Sequence, residues 1–150
     1  MWTHHATVAC TQFTTGIDGD TFVGQHDGYA RLGDPVIHER SIIRTGANFE
    51  IADTISCGGS HSSERCWHFS EQCQVSVSGN KVYAKNGGTR ICLSANDPET
   101  RIVCTHGSDN PIGGWVSRQF DVKSASTSVF FLDCVHGTTS LSASIQCQPE

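Results

Sequence analysis

The 150-residue sequence lacks long apolar runs and lacks an excess of positive charge. No apolar run approaches the ~20 residues that a transmembrane helix needs, so no membrane partner is expected. The ten Lys and Arg residues are scattered, and the formal net charge is −5. Nucleic acid is not an expected partner either, because proteins that bind it concentrate basic residues on one face. A hydrophobic content of 37% with 17% charged residues excludes a disordered chain.

Helical periodicity is also missing, since no stretch of ten or more residues has the apolar spacing of an amphipathic helix. The sequence instead has short apolar runs separated by turn signals, such as KVYA, TRICLSA, RIVCT and SVFFLDCV. Alternating valines on either side of Gly79-Asn80 predict a hairpin with a two-residue turn. These patterns predict a single all-β domain over residues 1–150, a β-sandwich of two antiparallel sheets.

The C-x-x-C spacing is absent although the sequence contains eight cysteines, which argues against zinc-ribbon and thioredoxin-like folds. An even number of cysteines spread along the chain is typical of disulfides formed in an oxidising compartment. We therefore predict an extracellular or periplasmic location. The first ten residues, MWTHHATVAC, lack the basic and apolar regions of a signal peptide. We expect either that a leader has been removed or that the sequence is a segment of a longer chain.

Four disulfides are predicted to staple the sandwich, each stabilising it by about 2–4 kcal/mol. Two apparent hairpins, CLSANDPETRIVC and CVHGTTSLSASIQC, begin and end with cysteines, and a third pair brackets the segment GGSHSSER. The fourth pair consists of the two cysteines that remain. The predicted pairs are Cys92 with Cys104, Cys134 with Cys147, Cys57 with Cys66, and Cys10 with Cys73. Other connectivities remain open, because sequence alone does not determine which cysteines pair.

A polar stretch at residues 26–43, HDGYARLGDPVIHERSII, contains the candidate catalytic residues Tyr29, His38 and Arg40. His38 and Arg40 are two residues apart and therefore share one face of a strand. There they could bind the carboxylate of an acidic sugar, to which arginine offers two parallel donors. In the alternative interpretation, which we favour, Gly28-Tyr29 forms a turn and Val36, Ile37, Ile42 and Ile43 fill the core. His38 and Arg40 then lie on the solvated face of a half-buried strand.

A tryptophan completes the predicted substrate-binding set of His38, Arg40 and Trp115. Trp115 follows Gly113-Gly114, a pattern typical of a loop, so its ring is a candidate for stacking on a sugar. The alternative is that Trp115 fills the sandwich core together with the neighbouring Phe120.

Five segments, taken in order along the chain, indicate a particular type of β-sandwich. They are HATV at residues 5–8, HDGYARLGDPVIHER at 26–40, IADTI at 51–55, CWHFS at 66–70 and GGWVSRQFDVKSAS at 113–126. In this order they resemble the C-terminal β-sandwich of the heparinase II/III-like polysaccharide lyases. That family has an H-N-T-V strand followed by D-G-Y and H-x-R elements, with a G-W-V-S element near the end. The resemblance covers nearly the whole chain.

The resemblance implies a function for a larger protein than this chain. Family members place an α/α toroid before the sandwich and cleave uronic-acid polysaccharides by β-elimination. Their catalytic tyrosine and histidine come from the toroid and from sandwich segments that precede the H-N-T-V strand. We therefore expect no complete lyase site in this chain. The expected role is non-catalytic or accessory, with an acidic polysaccharide as ligand and a toroid domain or partner chain supplied from elsewhere.

The resemblance also implies a zinc ion in the sandwich, bound in the family by two histidines and an aspartate. His5 matches the last of these ligands, and the other two have no counterpart in this sequence. We expect no cofactor for the chain alone, and zinc only where upstream residues supply the missing ligands. The simpler interpretation of His5 is an exposed residue of the first strand.

Two further functions remain open at this point. One is an extracellular structural subunit that assembles through exposed sheet edges, which can add strands to a neighbour. The other is a complete enzyme that uses Tyr29, His38 and Arg40.

Overall fold

The computed structural model describes residues 5–149, apart from the side chain of residue 149. Within these residues there are thirteen strands and no helix, so the predicted all-β class is confirmed. In this part of the chain no helix has the length and hydropathy to cross a membrane. The strands are β1 Val8–Gly16, β2 Gly19–Tyr29, β3 Val36–Thr45, β4 Asn48–Phe69, β5 Gln74–Ser78, β6 Lys81–Asn86, β7 Thr89–Ala95, β8 Arg101–His106, β9 Ser108–Asp109, β10 Ile112–Gly113, β11 Trp115–Gln119, β12 Val122–Ala125 and β13 Thr127–Pro149.

The contacts within the chain define two compact units. Unit 1 contains the described residues up to Ser62 together with Cys134–Ile145. Unit 2 contains Ser63–Asp133 together with the described residues from Gln146 onward. The long strands β4 and β13 contribute residues to both units. That residues 1–150 form one domain stays a prediction.

Unit 1 is built on an antiparallel meander in which β1 pairs with β2, β2 with β3 and β3 with β4. The tight β1–β2 turn requires glycine at position 19, where φ is +152° and a Cβ would lie 2.2 Å from the carbonyl oxygen of Arg44. The register places His26 opposite His38. It also places Arg40 opposite Asp53. These pairings bring polar side chains of three neighbouring strands together.

The buried face of β3 differs from the one expected from the sequence. Val36 is buried and packs in a cluster with Ile55, whereas Ile37 and Ile43 are exposed. The expected core position of Val36 is therefore confirmed, whereas the expected burial of Ile37 and Ile43 is wrong. His38 lies two residues from Val36, so it shares the Val36 face rather than the exposed one. The alternation of the strand thus turns His38 and Arg40 toward the protein.

Unit 2 contains a second meander, in which β5 pairs with β6 and β6 with β7. The hairpin predicted at Gly79-Asn80 is confirmed, because Ser78 pairs with Lys81 and Gly79 has a φ of +58°. Strand β8 pairs with the first part of β13. Two small antiparallel pairs, β9 with β10 and β11 with β12, complete the unit. Its fully buried side chains include those of Phe131, Leu93, Val82 and Val129.

None of the eight cysteines forms a disulfide, so the predicted stapling of the fold is wrong. Cys57 and Cys66 lie nine residues apart on the single strand β4. At about 3.3 Å per residue their Cα atoms are separated by roughly 30 Å, whereas a disulfide needs about 4.4–6.8 Å. The predicted pair of Cys134 and Cys147 fails for the same reason, since both cysteines lie on β13.

The other two predicted pairs also fail on strand pairing. Cys92 lies opposite Tyr83 of β6, and Cys104 lies opposite Val129 of β13. The segment CLSANDPETRIVC is therefore not a hairpin whose two cysteines face each other. Cys10 lies opposite Gly24 of β2, and Cys73, just before β5, is free as well. The fold is held by burial and backbone pairing instead.

Candidate functional site

Four side chains of β2, β3 and β4 form one hydrogen-bonded chain, which we call the histidine–aspartate network. His26 Nε2 lies 3.1 Å from His38 Nδ1, and His38 Nε2 lies 2.6 Å from Asp53 Oδ1. Arg40 donates from Nε to Asp53 Oδ1 at 2.7 Å and from Nη2 to Asp53 Oδ2 at 3.1 Å. The Gly28 amide donates to His26 Nδ1 at 3.2 Å. The network follows directly from the strand register.

One set of tautomers satisfies every contact of the two histidines. Because His26 Nδ1 accepts from the Gly28 amide, the proton of His26 sits on Nε2 and is donated to His38 Nδ1. His38 then carries its proton on Nε2 and donates it to Asp53. Both imidazoles are neutral in this arrangement, and each of their four nitrogens has a protein partner. The network as it stands offers no unoccupied imidazole nitrogen to a substrate.

Asp53 is the electrostatic centre of the network, with a side chain that is fully buried. Burial alone raises its pKa, but the hydrogen bonds from His38 and Arg40 and the positive charge of Arg40 outweigh burial, so the pKa is lowered. The carboxylate is therefore ionised at neutral pH. Arg40 neutralises it through two parallel donors, the arrangement that makes arginine–carboxylate pairs strong.

Stability should depend on pH through Asp53 with a defined sign. The unfolded carboxyl has a pKa of about 3.9, and the folded pKa is lower. The contribution of Asp53 is thus fully present above the unfolded pKa and is lost as the pH falls through the folded value. We expect the urea midpoint to fall as the pH decreases below about 4. The fall should be shallower in Asp53→Asn, and identical pH profiles for the two proteins would contradict this assignment.

The remaining predicted residues occupy different surroundings. Tyr29 is 48% exposed and its ring packs edge-on against His26, with 5.5 Å between centroids. Trp115 belongs to unit 2, where its indole Nε1 donates to the Ser108 carbonyl at 2.9 Å. Lys123 Nζ lies 3.9 Å from the centroid of the Trp115 ring and covers one face of it. His5 is exposed and precedes β1. Tyr29, His38 and Arg40 therefore lie in one neighbourhood of unit 1, joined through His26.

A second cluster in unit 1 contains three residues with metal-ligating atoms. Asp34, Cys57 and His61 are half-buried, and one ligand atom from each lies within 4.8 Å of the others. His61 Nε2 is 2.7 Å from Asp34 Oδ2. The hydrogen bonds from His61 and from the Gly59 amide are the main causes that lower the pKa of Asp34.

Unit 2 has a pocket with a volume of about 410 Å³ on the β5–β7 meander. We call this concave region the β5–β7 surface. Tyr83 and Lys85 share one face of β6, and Arg90 of β7 lies opposite Lys85. An aromatic ring therefore stands beside two cationic side chains. The lining residues are Gln74, Val75, Ser76, Tyr83, Ala84, Lys85 and Arg90.

The sequence matches a family model over residues 1–145, nearly the whole chain, and that model is described as heparinase II/III-like, C-terminal. The chain belongs to the heparinase II/III-like C-terminal family. The resemblance predicted from five sequence segments is therefore confirmed. No curated protein sequence matches this member of the family significantly.

Solved structures of lyases share the fold of this family member. It superposes on the heparan sulfate lyase HepC from Pedobacter heparinus with a TM-score of 0.81 at 14% identity, covering 95% of this chain and 22% of that one. A heparinase III, the BT4657 gene product, gives 0.75 at 14% identity, covering 95% and 21%. Another heparinase III gives 0.72 at 11% identity, also covering 95% and 21%. The chain thus spans about a fifth of the length of these lyases, and they support the β-sandwich class.

Asp53 and His26 of the network, and the whole Asp34–Cys57–His61 cluster, are not among the catalytic, binding or metal residues predicted for this heparinase II/III-like chain. Asp53 occupies the apolar phase of the alternating run around Ile51 and Ile55, and a carboxylate in that phase signals a buried, paired charge. The role of His26 depends on the strand register, which no local pattern gave. Cys57 and His61 are four residues apart on one strand, a spacing that places them on one face.

Proposed function

We propose that this chain is an accessory, non-catalytic β-sandwich of a polysaccharide lyase and that it binds acidic polysaccharide. The observation that carries the proposal is the family match over residues 1–145 in a chain about a fifth as long as the lyases that share its fold. A toroid-bearing polypeptide would complete the enzyme, and an extracellular or periplasmic location would give access to the polymer.

The histidine–aspartate network supports a non-catalytic role. A general base needs a nitrogen or oxygen within hydrogen-bond reach of the proton that it abstracts. Both nitrogens of His38 are engaged, and Arg40 directs two of its donors at Asp53. We therefore assign His38 and Arg40 to holding β2, β3 and β4 together. The catalytic set Tyr29, His38 and Arg40 and the sugar-binding set His38, Arg40 and Trp115, both predicted from the sequence, are therefore not part of the proposed function.

The β5–β7 surface supports binding of an acidic sugar. Tyr83 is 37% exposed, which leaves ring surface for stacking on a sugar. Lys85 and Arg90 lie opposite each other across β6 and β7, next to Tyr83. Their positive charges can pair with carboxylate or sulfate groups, to which arginine donates two parallel hydrogen bonds. Because the net charge is −5, such a local cationic patch is what an anionic polymer would need.

Binding to immobilised heparan sulfate tests the proposal. We expect Arg90→Ala to weaken binding about tenfold, because hydrogen bonds to charged groups contribute about 1.5–3 kcal/mol. Tyr83→Ala should weaken it as well, through loss of ring stacking. Arg101→Ala is the matched control, since Arg101 is an exposed arginine of unit 2 outside the concave surface.

Two results would count against the proposed function. Equal binding by wild type, Arg90→Ala and Arg101→Ala would show that the β5–β7 surface is not the polysaccharide-binding site. A rise in the absorbance of unsaturated uronate, produced by the purified chain alone, would show a complete lyase site and overturn the accessory role. Assembly through sheet edges stays a prediction, and a concentration-independent monomer in size-exclusion chromatography would argue against it.

A further inference from the structure

The Asp34–Cys57–His61 cluster has features that the proposed function does not use. Cys57 and His61 project from the same face of β4, and Asp34 approaches them from the segment between β2 and β3. The three bring one thiol sulfur, one imidazole nitrogen and one carboxylate within 4.8 Å of one another. None of the three belongs to the histidine–aspartate network or to the β5–β7 surface.

The carboxylate of this cluster is seated in a backbone cradle. The Gly58 amide donates to Asp34 Oδ1 at 3.0 Å, and the Gly59 amide donates to Asp34 Oδ2 at 2.7 Å. A Cβ at position 58 would lie 2.8 Å from Oδ1, and one at position 59 would lie 3.2 Å from Oδ2. A side chain at position 58 would therefore displace the Asp34 carboxylate, and one at position 59 would crowd it. Such outer hydrogen bonds orient a ligating carboxylate.

The cluster can be reached from solvent, and its thiol is held by backbone carbonyls. The His61 and Asp34 side chains are 25% and 35% exposed, which leaves a path for an ion from solvent. The Cys57 thiol donates to the carbonyl oxygens of Gly59, at 3.4 Å, and Gly137, at 3.1 Å. The donor set of sulfur, nitrogen and oxygen selects among metals: calcium and magnesium prefer oxygen alone, whereas zinc accepts all three.

We propose that Asp34, Cys57 and His61 form a zinc site with three protein ligands and one position open to water. The metal would replace the His61–Asp34 hydrogen bond, and the ligand atoms would move to about 2.0–2.3 Å from the ion. Cys57 would bind as the thiolate, so its proton is released to solvent on binding. This site shares no residue with the zinc set that the family resemblance implies, in which His5 is the matched ligand.

Titration of the reduced wild-type chain with Zn²⁺ and with Co²⁺ tests the site directly. We expect one ion per chain, release of a proton on binding, and a thiolate-to-cobalt charge-transfer band in the Co²⁺ spectrum. These readouts need no variant, so they remain decisive if a substitution prevents folding. A Co²⁺ spectrum without a thiolate band would overturn the proposal.

Variants then identify the ligands. Removing a residue that only hydrogen-bonds to a metal ligand weakens metal binding about 10–100-fold. Removing a ligand itself, as in Cys57→Ser or His61→Gln, should weaken zinc binding by at least that much. Gly58→Ala should weaken it too, by displacing the Asp34 carboxylate. Cys66→Ser is the matched control, because Cys66 is an exposed cysteine of the same strand. Unchanged zinc affinity in Cys57→Ser would show that Cys57 is not a ligand, and an equal loss in Cys66→Ser would show that the ion binds elsewhere.

Discussion

Replacing Asp53 with alanine is expected to lower the free energy of unfolding by about 3 kcal/mol, near the lower end of the range for breaking a buried ion pair. The carboxylate is fully buried and accepts hydrogen bonds from both His38 and Arg40. Alanine would leave those donors facing a cavity. The Arg40 side chain is 37% exposed and can turn toward water, which is why we do not expect the largest penalties.

Urea denaturation followed by circular dichroism would measure the effect as a shift of the midpoint at constant slope. Asp18→Ala is the matched control, because Asp18 is exposed in the β1–β2 turn and its loss should change stability by less than about 0.5 kcal/mol. The midpoint of Asp53→Asn should lie between those of Asp53→Ala and Asp18→Ala, since an amide keeps one acceptor oxygen and loses the charge. If Asp53→Ala and Asp18→Ala had equal midpoints, the network would not stabilise the fold.

Asp53 and its partners show which parts of the site can be predicted from the sequence. That His38 and Arg40 share a face could be predicted, because strand alternation is a local property. Which face is buried depends on the pairing of β3 with β4, and that pairing puts Asp53 opposite Arg40. Strand alternation alone predicts that polar side chains face solvent, and this prediction fails where a buried carboxylate pairs with them.

Turn signals gave the same mixture of success and failure. Gly79-Asn80 forms the predicted hairpin because alternating residues flank it on both sides. The segment around Gly137 has equally strong turn chemistry, yet β13 continues through it. Gly137 has a φ of +61°, and Thr139 Oγ1 bonds the backbone of His136. A positive-φ glycine within a strand is typical of a bulge rather than a hairpin, and local sequence does not distinguish the two.

The cysteine pattern failed for a different reason. An even number of cysteines is compatible with disulfides, but it says nothing about the distances between the cysteines in the fold. Cys57 lies on the same strand as Cys66, so no pairing argument based on intervening loops applies. Its thiol donates to the carbonyl of Gly137 and lies within 4.8 Å of a nitrogen of His61 and a carboxylate oxygen of Asp34. The four-residue spacing of Cys57 and His61, which places both on one face of a strand, is the sequence feature that goes with this proximity.

Asp133→Ala is expected to lower the free energy of unfolding by about 3–5 kcal/mol, more than Asp53→Ala. Asp133 and Arg65 form an ion pair in unit 2 with a distance of 3.1 Å from Nη2 to Oδ2, and their side chains are only 5% and 4% exposed. Thr100 also donates to Asp133. Removing the carboxylate leaves the arginine charge buried and without its counter-ion. Glu99→Ala is the control, an exposed acid of the same unit, and should change stability by less than about 0.5 kcal/mol.

The double variant Arg65→Met with Asp133→Leu should recover most of that loss. Within the described residues Arg65 Nε and Nη1 are buried without a hydrogen-bond partner. The guanidinium carbon lies 5.5 Å from the centroid of the Phe131 ring, which offsets only part of its desolvation. Apolar side chains of similar volume avoid these costs, and such exchanges are often neutral or stabilising. A double variant as unstable as Asp133→Ala would mean that the ion pair stabilises unit 2 beyond the cost of burying its charges.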